Sequence, residues 1–69
     1  MWVELICEVE RRCVKTTFRV ADFQAVWEGD DPAMKMSFVS FNGRTFKVWA
    51  DVETVKATIY LAQRKREHG

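Results

Sequence analysis

Hydrophobic and polar positions alternate with a period of two through most of this chain, then switch to a helical spacing towards its end. Side chains alternate across a strand and recur every 3.6 residues around a helix, so the two spacings predict strands followed by a helix. The clearest stretch runs from Met34 to Trp49, where two alternating segments meet at Asn42-Gly43. Both residues of a two-residue hairpin turn need φ > 0, and Asn-Gly supplies this at least cost. Counting outward from the turn pairs Phe41 with Arg44, Val39 with Phe46 and Ser37 with Val48, all on one face. The other face then carries Met36, Phe38, Ser40, Thr45, Lys47 and Trp49, with Met34 just beyond.

The first part of the chain reads as another hairpin. Val3, Leu5, Cys7 and Val9 alternate with Glu4 and Glu8, with Ile6 standing out of pattern. Val14, Thr16, Phe18 and Val20 alternate with Lys15, Thr17 and Arg19. Pairing Val9 with Val14 gathers the apolar set on one face and leaves Glu10 to Cys13 as a four-residue loop. Ala21-Asp22-Phe23 predicts a corner or a single helical turn. Gln24 to Glu28 predicts a third strand, with Ala25 and Trp27 on one side and Val26 on the other. Gly29-Asp30-Asp31-Pro32-Ala33 reads as a loop. Its adjacent aspartates lack the spacing and the distal glutamate of a calcium loop, so a plain turn is expected.

After Ala50, Asp51 stands where a helix N-cap would accept from free backbone N–H groups, and Glu53 adds favourable charge to the first turn. Val52, Val55, Ile59 and Ala62 then fall within about 80° of arc, a stripe suited to packing on a sheet. Arg64, Lys65 and Arg66 close the helix, predicted from Asp51 to about Lys65, where cations complement its dipole. The expected fold is therefore α+β: a small antiparallel sheet of two hairpins and four to five strands, with one C-terminal helix packed on it. All 69 residues form one domain.

Composition sharpens this picture. Residues are 48% hydrophobic, which argues against disorder, yet no apolar run approaches the roughly 18 residues of a membrane span. No basic region precedes the first apolar residues, so a cytoplasmic protein without a signal peptide is expected, and no contact with membranes. Residues 1–33 carry seven acids and four bases, and residues 34–69 carry three acids and seven bases. Net charge is only +1, a modest segregation that an ordinary solvated surface explains.

Catalytic chemistry has little to work with. There is one histidine, His68, near the end of the chain, and no Ser/His/Asp or Cys/His set, metal-ligand cluster or phosphate-cradling glycine loop. No enzymatic activity, no cofactor and no metal are expected. In the register above Cys7 faces the core and Cys13 lies in the loop, so both are expected to be free thiols, as suits a reducing compartment.

One stretch resembles a known family. FNGRTFKVWADVETVKATI is similar to the ending of the small flagellar and swarming-motility proteins of the FlbD-like type: a strand, Asn-Gly, a strand, then a helix opening on an acidic-Val-Glu-x-Val run. Asn42, Gly43, Val52, Glu53 and Val55 carry the likeness, and the Asp-Asp-Pro loop stands where that family has a Pro-Asp turn. The chain departs from the family in its first loop, Glu10 to Cys13, and in its three tryptophans. Small phage regulators and inhibitors share this size and plan. The resemblance implies a small non-enzymatic accessory protein that acts through a partner.

The residues point to the same class for a physical reason. One helix stripe covers one sheet face, and the central hairpin is substantially apolar on both. The face with Met34, Met36, Phe38 and Trp49 is therefore expected to bind a protein partner or a second copy in a homodimer, unless the N-terminal hairpin covers it within the monomer. The alternative is a single-stranded nucleic-acid site in which Trp49 stacks beside Lys47, extended by Arg44, Arg64, Lys65 and Arg66.

Overall fold

The structure, a computed structural model, describes residues 1–30 and 33–68, and side chains up to residue 64. It is an α+β fold: five antiparallel strands and one C-terminal helix packed on them. The strands are β1 (Trp2–Val9), β2 (Arg12–Arg19), β3 (Phe23–Glu28), β4 (Ser37–Phe41) and β5 (Arg44–Val48), and the helix α1 is Val52–His68. A 3-10 turn, Val20–Asp22, links β2 to β3. The order across the sheet is β2-β1-β5-β4-β3.

The central hairpin has the expected register. Phe41 faces Arg44, Val39 faces Phe46 and Ser37 faces Val48. Asn42 and Gly43 both take positive φ, 51° and 80°. The third strand pairs Val26 with Val39 and Trp27 with Phe38, with an irregularity between Phe23 and Ala25.

The first hairpin differs from the sequence reading. Its loop has two residues instead of four, because Val9 pairs with Arg12. Cys7 therefore faces Val14, Leu5 faces Thr16 and Val3 faces Phe18. Glu10 and Arg11 take φ of 50° and 64°, the left-handed pair that a two-residue turn requires. Neither residue advertises that conformation, which is why the turn escapes a search for Asn and Gly. The shift is by two residues, so every side chain keeps its face. Its cost falls at the tip, where Val9 and Val14 are exposed rather than buried. At the other end Val20 leaves the strand for the 3-10 turn and is buried there, its N–H bonded to the Met1 carbonyl at 3.0 Å.

The core lies between the inner sheet face and α1. Val3, Leu5, Cys7, Phe18, Val20, Val39, Phe41 and Val48 meet Val55 and Ile59 of the helix stripe, with Ala62 packed at the margin. Asp51 caps the helix as expected, its carboxylate accepting from the Thr54 N–H at 2.8 Å. Ser37 is fully buried among these apolar residues, and its hydroxyl donates to the Ala50 carbonyl at 2.9 Å. That bond satisfies a backbone group at the bend between β5 and α1, where the strand ladder has ended.

Phe18 shows how the two hairpins join. Its ring stacks on Phe41 at 4.2 Å and meets Phe46 edge-on at 4.8 Å. Strands β2 and β4 are not neighbours, so the contact crosses the inside of a curled sheet. The N-terminal hairpin thus shares the inner side with α1 and leaves the outer side of the central hairpin uncovered.

Candidate functional site

Strand alternation fixes what the outer face carries. Trp27 on β3, Phe38 on β4, Lys47 on β5 and Glu8 on β1 stand in one row across four strands. The pairs Trp27–Phe38 and Phe38–Lys47 follow from the ladder. Trp27 and Phe38 stack at 6.0 Å between centroids. Lys47 Nζ reaches the Glu8 carboxylate at 3.6 Å. Alongside lies a second row. The Trp49 N–H donates to the Ile6 carbonyl at 2.9 Å, which sets these residues beside each other next to the Cys7–Val48 pair. Towards the start of β1 the Arg19 guanidinium lies 5.9 Å from the ring centre of Trp2, and Lys15 pairs with Glu4 at 3.6 Å.

All three tryptophans are therefore on the outer side of the sheet. Trp2, Trp27 and Trp49 are 61%, 43% and 39% exposed, and Ile6 is 47% exposed. These side chains lie on one side of the sheet, Trp27 stacked on Phe38, Trp49 beside Ile6 and Trp2 beneath Arg19. Near the Asn42-Gly43 turn the face is braced by Gln24, whose side-chain oxygen accepts from the Ser40 hydroxyl at 2.9 Å and from the Gly43 N–H at 2.6 Å.

Of the four residues expected to form a binding surface, Phe38 and Trp49 stand on this face. Met36 does not: it is 7% exposed, closed off from solvent and outside the main core cluster. Met34 is exposed, but in the loop before β4, where it borders a groove with Glu28, Lys35 and the start of α1. The physical reason is that alternation holds only within a strand. β4 begins at Ser37, and the Met36 N–H turns back onto the Met34 carbonyl at 2.8 Å. Sequence reasoning missed Ile6, Trp27 and Trp2. Ile6 carried a usable signal, an apolar residue among outward-facing glutamates, and Trp27 already stood opposite Val26.

The basic residues do not assemble into one track. Lys47 and Trp49 share the outer face, but Lys47 is paired with Glu8. Arg44 sits opposite Phe41 in the inner-face register, at the turn. Arg64 is exposed on α1, which packs against the inner side. The side chains of Lys65 and Arg66 lie outside the described residues, as does Asp31 of the aspartate pair.

Both thiols are free. Cys7 is buried on the inner face, and burial pushes its thiol pKa up, partly offset by a hydrogen bond with Thr16. It is therefore held as the neutral thiol, a poor nucleophile. Cys13 stands opposite Glu8 in β2 rather than in a loop, on the exposed outer side. The two sulfurs point to opposite faces of one hairpin, which keeps them apart. Among the described residues no helix is long and apolar enough to cross a membrane, and no three His, Cys, Asp or Glu side chains cluster as metal ligands would. Comparison of the chain with protein-family models, with curated proteins and with solved structures finds no match.

Proposed function

We propose that this protein is a small non-enzymatic accessory or regulatory protein of the cytoplasm, acting by protein–protein interaction through the outer face of its sheet. One observation carries the reading: Trp27, Phe38, Trp49 and Ile6 occupy adjacent strands on the side that neither α1 nor the N-terminal hairpin covers. Aromatic side chains give large contact areas at low entropic cost and dominate the energetics of protein interfaces. The free thiols suit a reducing compartment. The likeness of the Phe41-to-Ile59 segment to motility accessory proteins leads to the same class of function.

A nucleic-acid role finds less support, since the outer-face lysines are paired with glutamates, Arg19 lies over Trp2, and Arg44 and Arg64 stand in the inner-face register and on α1. The test replaces Phe38 and Trp49 together with serine. The variant should stay folded by circular dichroism, losing no more than about 2 kcal/mol, whereas a large-to-small change in a core costs about 3–5 kcal/mol per aromatic. Immobilised wild-type chain should retain proteins from an extract of its own source cells that the variant does not. An unfolded variant, or identical retention by both, overturns the reading.

A further inference from the structure

We infer that the N-terminal hairpin β1–β2 is an exchangeable unit: two copies of this chain trade it about the turn Val20–Asp22, and each hairpin completes the sheet of the other copy. The inference is independent of what the outer face binds. Its first support is the seam that the hairpin must leave. The hairpin comes first in the chain, so the turn Val20–Asp22 alone ties it covalently to the rest of the fold. Within itself it has eight ladder pairs, from Trp2–Arg19 to Val9–Arg12. Towards β5, among the described residues, it has the pair Cys7–Val48 and the Trp49–Ile6 bond. It therefore keeps its own backbone pairing when it departs. The contacts it gives up, Cys7 against Val48 and Phe18 against Phe41 and Phe46, are restored in identical form by a second copy.

The second support is the connection itself. Val20–Asp22 is a single 3-10 turn whose flanking residues are already extended, Arg19 at φ −78°, ψ 125° and Phe23 at φ −63°, ψ 132°. The turn is closed by the Phe23 N–H donating to the Val20 carbonyl. Its two ends are tied to different halves of the molecule. The Val20 N–H bonds the Met1 carbonyl within the first hairpin, and the Asp22 carbonyl accepts from Asn42 of the central hairpin. Opening the turn disturbs neither tie. It changes the backbone of three residues and runs β2 directly into β3 as one strand. Val20 is β-branched and suits such a strand better than a helical turn. The closed chain and the exchanged dimer thus contain the same sheet and the same core, and differ at the hinge.

Concentration then decides between them. A short connection gives the hairpin an effective concentration on the order of 1 mM at its own seam, and copies compete with it on that scale. Refolding from urea at about 1 mM chain should give a species of twice 8.1 kDa by sedimentation, and refolding about a hundredfold more dilute should give 8.1 kDa. The variant Cys13→Ser/Val48→Cys shows whose hairpin fills the seam. Its new thiol faces Cys7 across an antiparallel pair, at a separation that a disulfide accepts. After oxidation, the closed chain bridges within itself and runs as a monomer on a gel without reductant. The exchanged dimer bridges between chains and runs at twice the mass. A dimer held by any surface contact keeps its bridges within each chain.

The wild-type sequence gives the same answer without a new cysteine, should Val48→Cys fail to fold. In a dimer refolded from equal amounts of isotope-labelled and unlabelled chains, isotope-filtered NMR should detect the Phe18–Phe41 contact between a labelled and an unlabelled chain. Absence of any dimer after refolding at the higher concentration overturns the inference. So does a dimer whose disulfides, or whose Phe18–Phe41 contacts, stay within one chain.

Discussion

Asp51 shows at the scale of one residue how a local signal becomes a measurable property. The Thr54 hydroxyl and then the Thr54 N–H bond its carboxylate, and together they hold its pKa below the ordinary carboxylate range. A carboxyl group whose folded pKa is depressed adds stability above its unfolded pKa, and that stability is lost as pH falls through the folded value. The cap is therefore fully effective at neutral pH, and it weakens as the pH falls from the unfolded carboxyl pKa, about 4, through the lower folded value. Asp51→Asn keeps an acceptor but cannot ionise. The wild-type chain should have the higher melting temperature at pH 7, and the gap should close as the pH is lowered through the folded pKa of Asp51. A gap that does not change with pH would mean that the charge contributes nothing to the cap.

Among the elements, the first hairpin is the one built against its own residue preferences. Glu10 and Arg11 both take a left-handed backbone that costs roughly 1–2 kcal/mol for residues other than Gly, Asn or Asp. The β1–β2 ladder nevertheless runs through eight pairs from Trp2–Arg19 to Val9–Arg12, and this pairing outweighs the turn. Replacing Glu10-Arg11 with Asn-Gly should relieve the cost without moving any strand side chain. An increase of about 1 kcal/mol is expected, equivalent to roughly 4–8 °C in melting temperature for a chain of this size. Thermal unfolding followed by circular dichroism measures it, and a lower melting temperature would show that the wild-type side chains stabilise the turn by contacts of their own. The central hairpin has no such conflict, since Asn42-Gly43 already suits its turn.

For the whole molecule the weak seam is the junction of the two hairpins. Among the described residues the β1–β5 ladder is the pair Cys7–Val48, with the Trp49–Ile6 bond beside it. Packing rather than a long ladder must therefore join the halves, and Phe18 is its centre, stacked on Phe41 and edge-on to Phe46. A domain of this size has only about 3–5 kcal/mol of stability from its core. Phe18→Ala should remove about 3–5 kcal/mol, enough to unfold most of the population at 25 °C. A cooperative urea transition at unchanged midpoint would show that α1 holds the hairpins together without that ring.

Periodicity and turn chemistry were enough to determine the element order, the central register, the Asp51 cap and, of the helix stripe, Val55, Ile59 and Ala62, while Val52 borders the groove beside Met34. Each of these is a local relation, settled by residues a few positions apart, and local relations are written in the chain. The same local rules lost their hold at Met36, where the strand had not begun, and at Glu10-Arg11, where distant pairing overrode the residues' own preference. The composition of the outer face belonged to neither case. Ile6 lies on β1, Trp27 on β3 and Trp49 just past the end of β5, and they share one side of a single sheet only because β5 inserts between β1 and β4. Which side the N-terminal hairpin would cover was likewise undecided until Phe18 met Phe41 across the curl of the sheet. Strand order and curl depend on how the whole apolar set can be buried at once, and no window of the sequence contains that choice.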